Sequence, residues 1–297
     1  GSPTWAMIAM LIGAATNLIL DPIFIFGFHW GMKGAAFATV IGQVISFVLS
    51  ALYLFKTKTF KLSAKSFIPD FKAFSGALKL GISTFVTQMT ILVISVTCNI
   101  FLSKYGALSV YGVDIPIAVI GIESKVFTVV INIVVGIILG CQPIIGYNMG
   151  AQKYDRVKKL YFSILFCTLA VGVMSTVLFE FFPDKVVGLF VAPTNIPNPD
   201  DYWIFAEKLF RIFLSLITFT CVVKMSSIFF QAVGKPVYAI VTSIIRDIVF
   251  FVPLVIILPK FFGIDGILYA APISDIVAMA VTVVLTVVYM KKLKAYM

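Results

Sequence analysis

Apolar residues in this chain come in runs of about 20, without the period-two alternation of a half-buried strand. Eight such runs can be marked, at roughly 5–28, 34–55, 78–102, 115–138, 160–182, 209–233, 237–258 and 264–290. Each is long enough to cross a bilayer as a helix, whereas an outer-membrane barrel would show alternating segments of about 10 residues. The pattern predicts an all-α integral membrane protein, a polytopic helical bundle of about eight transmembrane helices. The polar stretches between runs predict the connections. KTKTFKLSAKSFIPDFKAF, from Lys56 to Phe74, reads as a basic segment ending in an amphipathic lead-in. QPIIGYNMGAQKYDRVKK, from Gln142 to Lys159, reads as a loop punctuated by Pro143, Gly146 and Gly150 with a basic tail. The acidic, Pro-rich stretch Pro183–Asp201 ends in PTNIPNPDD, which reads as an extended external loop.

Composition agrees with the pattern. Hydrophobic residues make up 61% of the 297 residues and charged residues 12%, with a mean hydropathy of +1.07. A soluble chain is nearer half apolar and a quarter charged. The net charge of +10 does not point to nucleic acid, because the basic residues are placed by topology. Lys56, Lys58, Lys61, Lys65, Lys153, Arg156, Lys158, Lys159, Lys235, Lys291, Lys292 and Lys294 follow the second, fourth, sixth and last runs. The other connections have few positive charges. The positive-inside rule then puts both termini in the cytoplasm of a multi-pass protein of the inner or plasma membrane. Cys98, Cys141, Cys167 and Cys221 all lie within or beside apolar runs, without CxxC or Cys/His metal spacing, and read as small buried hydrophobes. His29, the single histidine, sits in a turn beside Trp30 and suits an interface better than catalysis. Neither HExxH nor HxxxxD occurs, nor a phosphate-binding GxxxxGK[ST], so an enzyme is not expected.

An internal repeat organises the chain. Gly31-Met-Lys-Gly34-Ala-Ala-Phe-Ala38 matches Gly263-Ile-Asp-Gly266-Ile-Leu-Tyr-Ala270 at an offset of 232. Gly1-Ser-Pro3-Thr-Trp5-Ala6 matches Gly234-Lys-Pro236-Val-Tyr238-Ala239 at 233, and Asp21-Pro22 answers Val252-Pro253 at 231. Runs one and two therefore correspond to runs seven and eight. The second repeat has six spans and the first has its last two, so four helices are expected to complete it on the N-terminal side. The architecture implied is a two-lobe 6+6 parallel repeat about an axis along the membrane normal. Its parts are 1–56 as the last two helices of an N-lobe, 57–77 as a cytoplasmic linker and 78–297 as a six-helix C-lobe.

The polar residues inside the runs are the candidate chemistry. Asn17 and Asp21 are four apart and share a helix face, and Pro22 frees the carbonyl one turn back. The small residues Gly34, Ala35, Ala36 and Ala38 allow close approach of two helices, so Thr39 can add a hydroxyl. A carboxylate inside a span is a functional candidate by default. The alternative role for Asn17 and Asp21 is to cap a broken helix, and for Thr39 to bond back to its own helix. Further charges, Glu123, Lys125, Lys224, Arg246, Asp247 and Asp275, fall within later runs. Unpaired they would be costly, so Arg246 or Lys224 is expected to pair with Asp275 or Asp247. Gln43 and Asp275 are repeat mates, and Gln88 is polar enough to line a cavity.

These motifs carry a resemblance. Asn17-xxx-Asp21-Pro22, Gly31-xx-Gly34-Ala35-Ala36-x-Ala38-Thr39, Gln142-Pro143-xx-Gly146-Tyr147-Asn148-x-Gly150-Ala151 and Gln231-xx-Gly234-Lys235-Pro236 together resemble the prokaryotic branch of the multidrug and toxic compound extrusion (MATE) transporters. The resemblance covers the whole chain, as helices five to twelve of the usual twelve. It implies two lobes around a cavity that opens alternately to each side, and export of amphipathic or cationic compounds in exchange for H⁺ or Na⁺. One branch of the family binds its coupling ion through an Asn and an Asp on helix five and a Thr on helix six. These map onto Asn17, Asp21 and Thr39, which would then also hold Na⁺ if that is the ion. The same branch uses an Asp on helix one, a helix outside this sequence. Another branch uses acids on helices seven and ten, where this chain has Gln88 and the Lys224–Ser226 region, so the N-lobe site is favoured. The resemblance implies no cofactor beyond the coupling ion, and a monomer when complete. The alternative function is a flippase for lipids or lipid-linked oligosaccharides, which needs a strongly cationic cavity that Lys125, Lys224 and Arg246 would supply.

Overall fold

A computed structural model describes residues 3–54, 71–190 and 199–295. All regular elements among them are helical, and the chain divides into two compact units, Gly1–Phe74 and Ser75–Met297. Among the described residues seven helices are long and apolar enough to cross a membrane, and a helix pair bent by 48° makes up to eight if the pair is one span. Much of the surface is apolar, with Met10, Leu18, Phe47, Phe166 and Met174 all exposed. A surface of that kind needs lipid around it.

The first unit is a helical hairpin. α1 runs Pro3–Pro22, a π-helical turn follows at Ile23–Gly27, and α2 runs Gly31–Leu54. Small residues bring the two helices together along their length. Ala9 and Ala38 are fully packed, and a Cβ on Gly42 would stand 2.7 Å from the carbonyl oxygen of Gly13. Polar bonds tie the ends: Trp5 Nε1 donates to the Leu49 carbonyl at 3.2 Å and Ser46 Oγ to that of Ala9 at 3.0 Å. In lipid such close approach and cross-helix bonds replace the hydrophobic drive available in water.

The second unit begins with α3 (Phe71–Gly106) and α4 (Asp114–Gly150), followed by α5 (Tyr154–Phe181) and the short α6 (Pro183–Gly188). Then come α7 (Pro199–Phe213), α8 (Ile217–Ala232) and α9 (Pro236–Ile244). A π-helical stretch at Ile245–Phe251 leads into α10 (Val252–Ile257), α11 (Pro259–Phe262) and α12 (Asp265–Ala295). α8 lies at the centre, packed against α4, α5, α9 and α12. Cys221, Val223, Met225, Phe229 and Phe230 on it are all buried, and so are the hydroxyl residues Thr220, Ser226 and Ser227, as befits a helix enclosed by its neighbours.

Several sequence expectations change here. The stretch from Gln142 to Gly150 is not a loop but the end of α4, whose 37 residues extend about 55 Å, well beyond a bilayer core. Pro143 is carried inside the helix, and the turn to α5 is made at Gln152, whose φ is 56°, rather than at a glycine. The acidic segment after run five contains α6, and Asp200 and Asp201 open α7. Residues 191–198, with most of PTNIPNPDD, lie outside the described residues. Run six is not one straight helix: α7 and α8 meet at 48°. Ser215 Oγ donates to the Ile212 carbonyl at 2.8 Å, and three-residue backbone bonds replace the α ladder at the bend. The expected linker 57–77 is already helical from Phe71, while Lys56, Lys58, Lys61 and Lys65 are outside the described residues.

The repeat recurs in three dimensions within each unit. Gly31 and Gly263 both have positive φ, 54° and 58°, and each precedes or opens its helix. A Cβ on Gly34 would meet the Phe24 backbone at 2.9 Å, and one on Gly266 the Leu258 backbone at 2.4 Å. The rings of Trp30 and Phe37 meet edge-on at 5.8 Å, and their mates Phe262 and Tyr269 at 6.1 Å.

Candidate functional site

Both units bring intramembrane polar residues together. In the first, α1 and α2 present Asn17, Asp21 and Thr39. Asn17 Nδ2 lies 3.3 Å from Thr39 Oγ1 and 3.5 Å from Asp21 Oδ1, so one amide faces both neighbours. Thr39 Oγ1 also donates back to the Ala35 carbonyl at 2.9 Å. The Gly13–Gly42 approach lies one turn from Asn17 and fixes the spacing of the helices there. Pro22 and the π-helical turn follow Asp21, and Phe28 N–H bonds the Ile23 carbonyl at 3.0 Å in the wider π register. A π turn next to an intramembrane carboxylate is a frequent mark of a functional site. Asn17 and Asp21 are half-buried and Thr39 is exposed within this unit. The side-chain oxygens present form a hard, anionic donor set suited to a proton or a small cation. Gln43, one turn beyond Thr39, is exposed.

In the second unit Lys224, Asp247 and Asp275 gather around Arg246. Its Nε donates to Asp275 Oδ1 at 2.7 Å, its Nη1 to Asp247 Oδ1 at 2.9 Å and its Nη2 to Thr220 Oγ1 at 3.4 Å. Asp247 Oδ2 accepts from Thr90 Oγ1 at 2.7 Å and stands 3.9 Å from Lys224 Nζ. Thus α3, α8, the second π stretch and α12 meet at one polar knot. The π geometry lets consecutive residues, Arg246 and Asp247, both turn inward, and both are buried. Periodicity in the sequence assumes an α-helix and could not show this; the Arg-Asp pair in an apolar run was the available signal. Thr90 and Thr220 had no sequence signal that would have separated them from other span threonines.

Glu123 on α4 is 4% exposed, and its neighbouring hydroxyl, Ser124 Oγ, donates to Oε2 at 3.3 Å. None of the ion pairs among the described residues involves Glu123 or Lys125. Lys125 faces outward and is exposed, so its expected pairing is not found; two positions along α4 from Glu123, it sits on the opposite side of the helix. Gln88 on α3 is also exposed. The repeat mates Gln43 and Asp275 thus differ, the first exposed and the second buried in the charge cluster. No three His, Cys, Asp or Glu side chains converge into a metal site among the described residues.

A family model, MatE, matches residues 83–257, more than half of the chain. The chain belongs to the MATE family. MATE proteins are transporters, not enzymes, and the helical membrane fold described above is theirs. This MATE chain is 25% identical over 276 residues to the multidrug export protein MepA of Staphylococcus aureus strain bovine RF122 / ET3-1, covering 93% of the chain and 58% of that relative. It is 26% identical over 281 residues to MepA of Staphylococcus haemolyticus strain JCSC1435, with the same coverage. Its fold matches a solved MOP superfamily transporter from Pyrococcus furiosus at a TM-score of 0.84, with 21% identity over 97% of the chain and 63% of that structure. A solved MATE protein in its bent conformation matches at 0.83 and 20% identity, over 98% of the chain and 62% of that structure. The chain therefore spans less than two thirds of the length of these proteins.

Proposed function

We propose that this chain is the greater part of a secondary active multidrug efflux transporter. It exchanges amphipathic or cationic compounds for H⁺ or Na⁺ by alternating access, and Asp21 is its coupling carboxylate. The observation that carries this reading is the convergence of Asn17, Asp21 and Thr39 beside a proline-broken helix. An ionisable group there can take up a cation on one side of the membrane and release it on the other, as the surrounding helices rearrange. The MepA relatives are multidrug export proteins by name, which supports the substrate class. The charge bias of the connections supports a cell-membrane location with both termini in the cytoplasm. A flippase draws less support. Arg246 and Lys224, which would have to give it a cationic cavity, lie against Asp275 and Asp247.

The test is Asp21→Asn, with export of an amphipathic cation measured against an imposed pH or sodium gradient and expression checked in parallel. Asn retains the shape and hydrogen-bonding capacity but not the charge or the titratable proton. Gradient-driven export should fall to background. Asn17→Ala and Thr39→Ala should reduce it less, each removing one oxygen. Near-normal export by Asp21→Asn would return the trio to the role of capping a broken helix.

A further inference from the structure

α5 and α12 leave a cleft of about 400 Å³ between them, with Val222 of α8 also in its lining. It lies toward the end where α5 begins and α12 finishes, since Lys158 and Lys291 are both in its lining. Phe162, Val283 and Val287 make its walls apolar. Lys158 also borders an adjoining cavity with Lys159 and Asp155. One side chain of the wall carries an unmatched polar atom. Thr282 is 1% exposed, and its hydroxyl has no hydrogen-bond partner among the described residues. One turn on, Thr286 Oγ1 pairs with Tyr161 Oη at 3.4 Å, so the neighbouring hydroxyl is satisfied and Thr282 is not.

An apolar slot with ammonium groups at one end and an unmatched hydroxyl along its wall selects for a particular ligand. The lysines repel a cationic amphiphile. They attract a phosphate, and basic pockets between membrane helices recognise anionic headgroups in this way. The apolar walls ask for a hydrocarbon tail, which free phosphate lacks. We infer that this cleft is a binding site for one anionic phospholipid. Its phosphate lies between Lys158 and Lys291, its acyl chain runs along α12, and an ester oxygen accepts from Thr282. The inference does not depend on the coupling role of Asp21.

Native mass spectrometry of the purified protein in neutral detergent tests it, with phosphatidylglycerol and phosphatidylcholine of identical acyl chains titrated in competition. Phosphatidylglycerol should be retained about tenfold more strongly, each interfacial lysine adding to the attraction. Lys158→Gln with Lys291→Gln should abolish the preference. Lys104→Gln with Lys260→Gln, which changes two lysines outside the cleft, should leave it intact. Thr282→Val should weaken phosphatidylglycerol binding while the headgroup preference persists, and glycerol 1-phosphate should fail to displace the lipid. Size-exclusion profiles and melting temperatures confirm that each variant is folded. Equal retention of the two lipids would overturn the proposal. So would persistence of the preference in the Lys158/Lys291 pair, its equal loss in the control pair, or displacement by glycerol 1-phosphate.

Discussion

Replacing Arg246 with Met separates the charge cluster into parts whose fates can be worked out. Asp247 keeps its bond from Thr90 at 2.7 Å and Lys224 at 3.9 Å. Asp275 loses the guanidinium that met it at 2.7 Å and, at 2% exposure, cannot turn to water. Breaking a buried ion pair by removing one partner costs about 3–5 kcal/mol, because the other charge is left uncompensated. Asp275→Asn works from the other side. It leaves Arg246 sharing Asp247 with Lys224, two cations on one carboxylate, and should cost a similar amount. The double variant removes the orphan as well as the partner. Its cost should fall short of the sum of the single costs by about 2–3 kcal/mol, the upper range of coupling between residues in contact. The measurement is unfolding in mixed micelles with increasing denaturing detergent, followed by tryptophan fluorescence; Trp203 on α7 reports on this unit. An Arg246→Met variant within about 1 kcal/mol of the parent would refute the reasoning, as would single costs that simply add.

Three further outcomes follow from the fold. Gly266→Ala should destabilise the protein by about 1–3 kcal/mol, since the new Cβ would lie 2.4 Å from backbone that cannot move away; a melting temperature equal to the parent's would contradict this. Gly146→Ala, on an open face of α4 with nothing within 4 Å, should instead stabilise by up to about 1 kcal/mol, visible as a small rise in the same melt. In a background lacking the native thiols, a cysteine replacing Gln152 should react only with cytoplasmic reagent and one replacing Leu108 only with external reagent. The opposite pattern would invert the proposed orientation.

Local rules account for what the sequence could say. Hydropathy over about 20 residues is a property of a single segment, so the number and rough positions of the spans were legible before any packing was known. The repeat was legible for a similar reason. Gly31 and Gly263 must adopt positive φ, and Gly34 and Gly266 must admit a backbone, so the same small residues return at one offset. The i,i+4 spacing of Asn17 and Asp21 put them on one face, because helix geometry alone fixes that. Element ends were less readable. Pro143, Gly146 and Gly150 look like loop residues locally, yet α4 runs through the first two and ends at the third, because a proline removes one backbone bond and an interior glycine costs only about 1 kcal/mol against a helix of 37 residues. Only tertiary structure decided which charges meet. Thr90, Thr220, Lys224, Arg246, Asp247 and Asp275 lie on four separate elements, and one carboxylate, Asp247, is 157 positions from the hydroxyl that donates to it, Thr90. The π stretch that turns both Arg246 and Asp247 inward has no periodic signature of its own. Pairing in a low-dielectric interior depends on ångström distances between helices, and those distances are set by how whole helices pack rather than by the order of residues along any one of them.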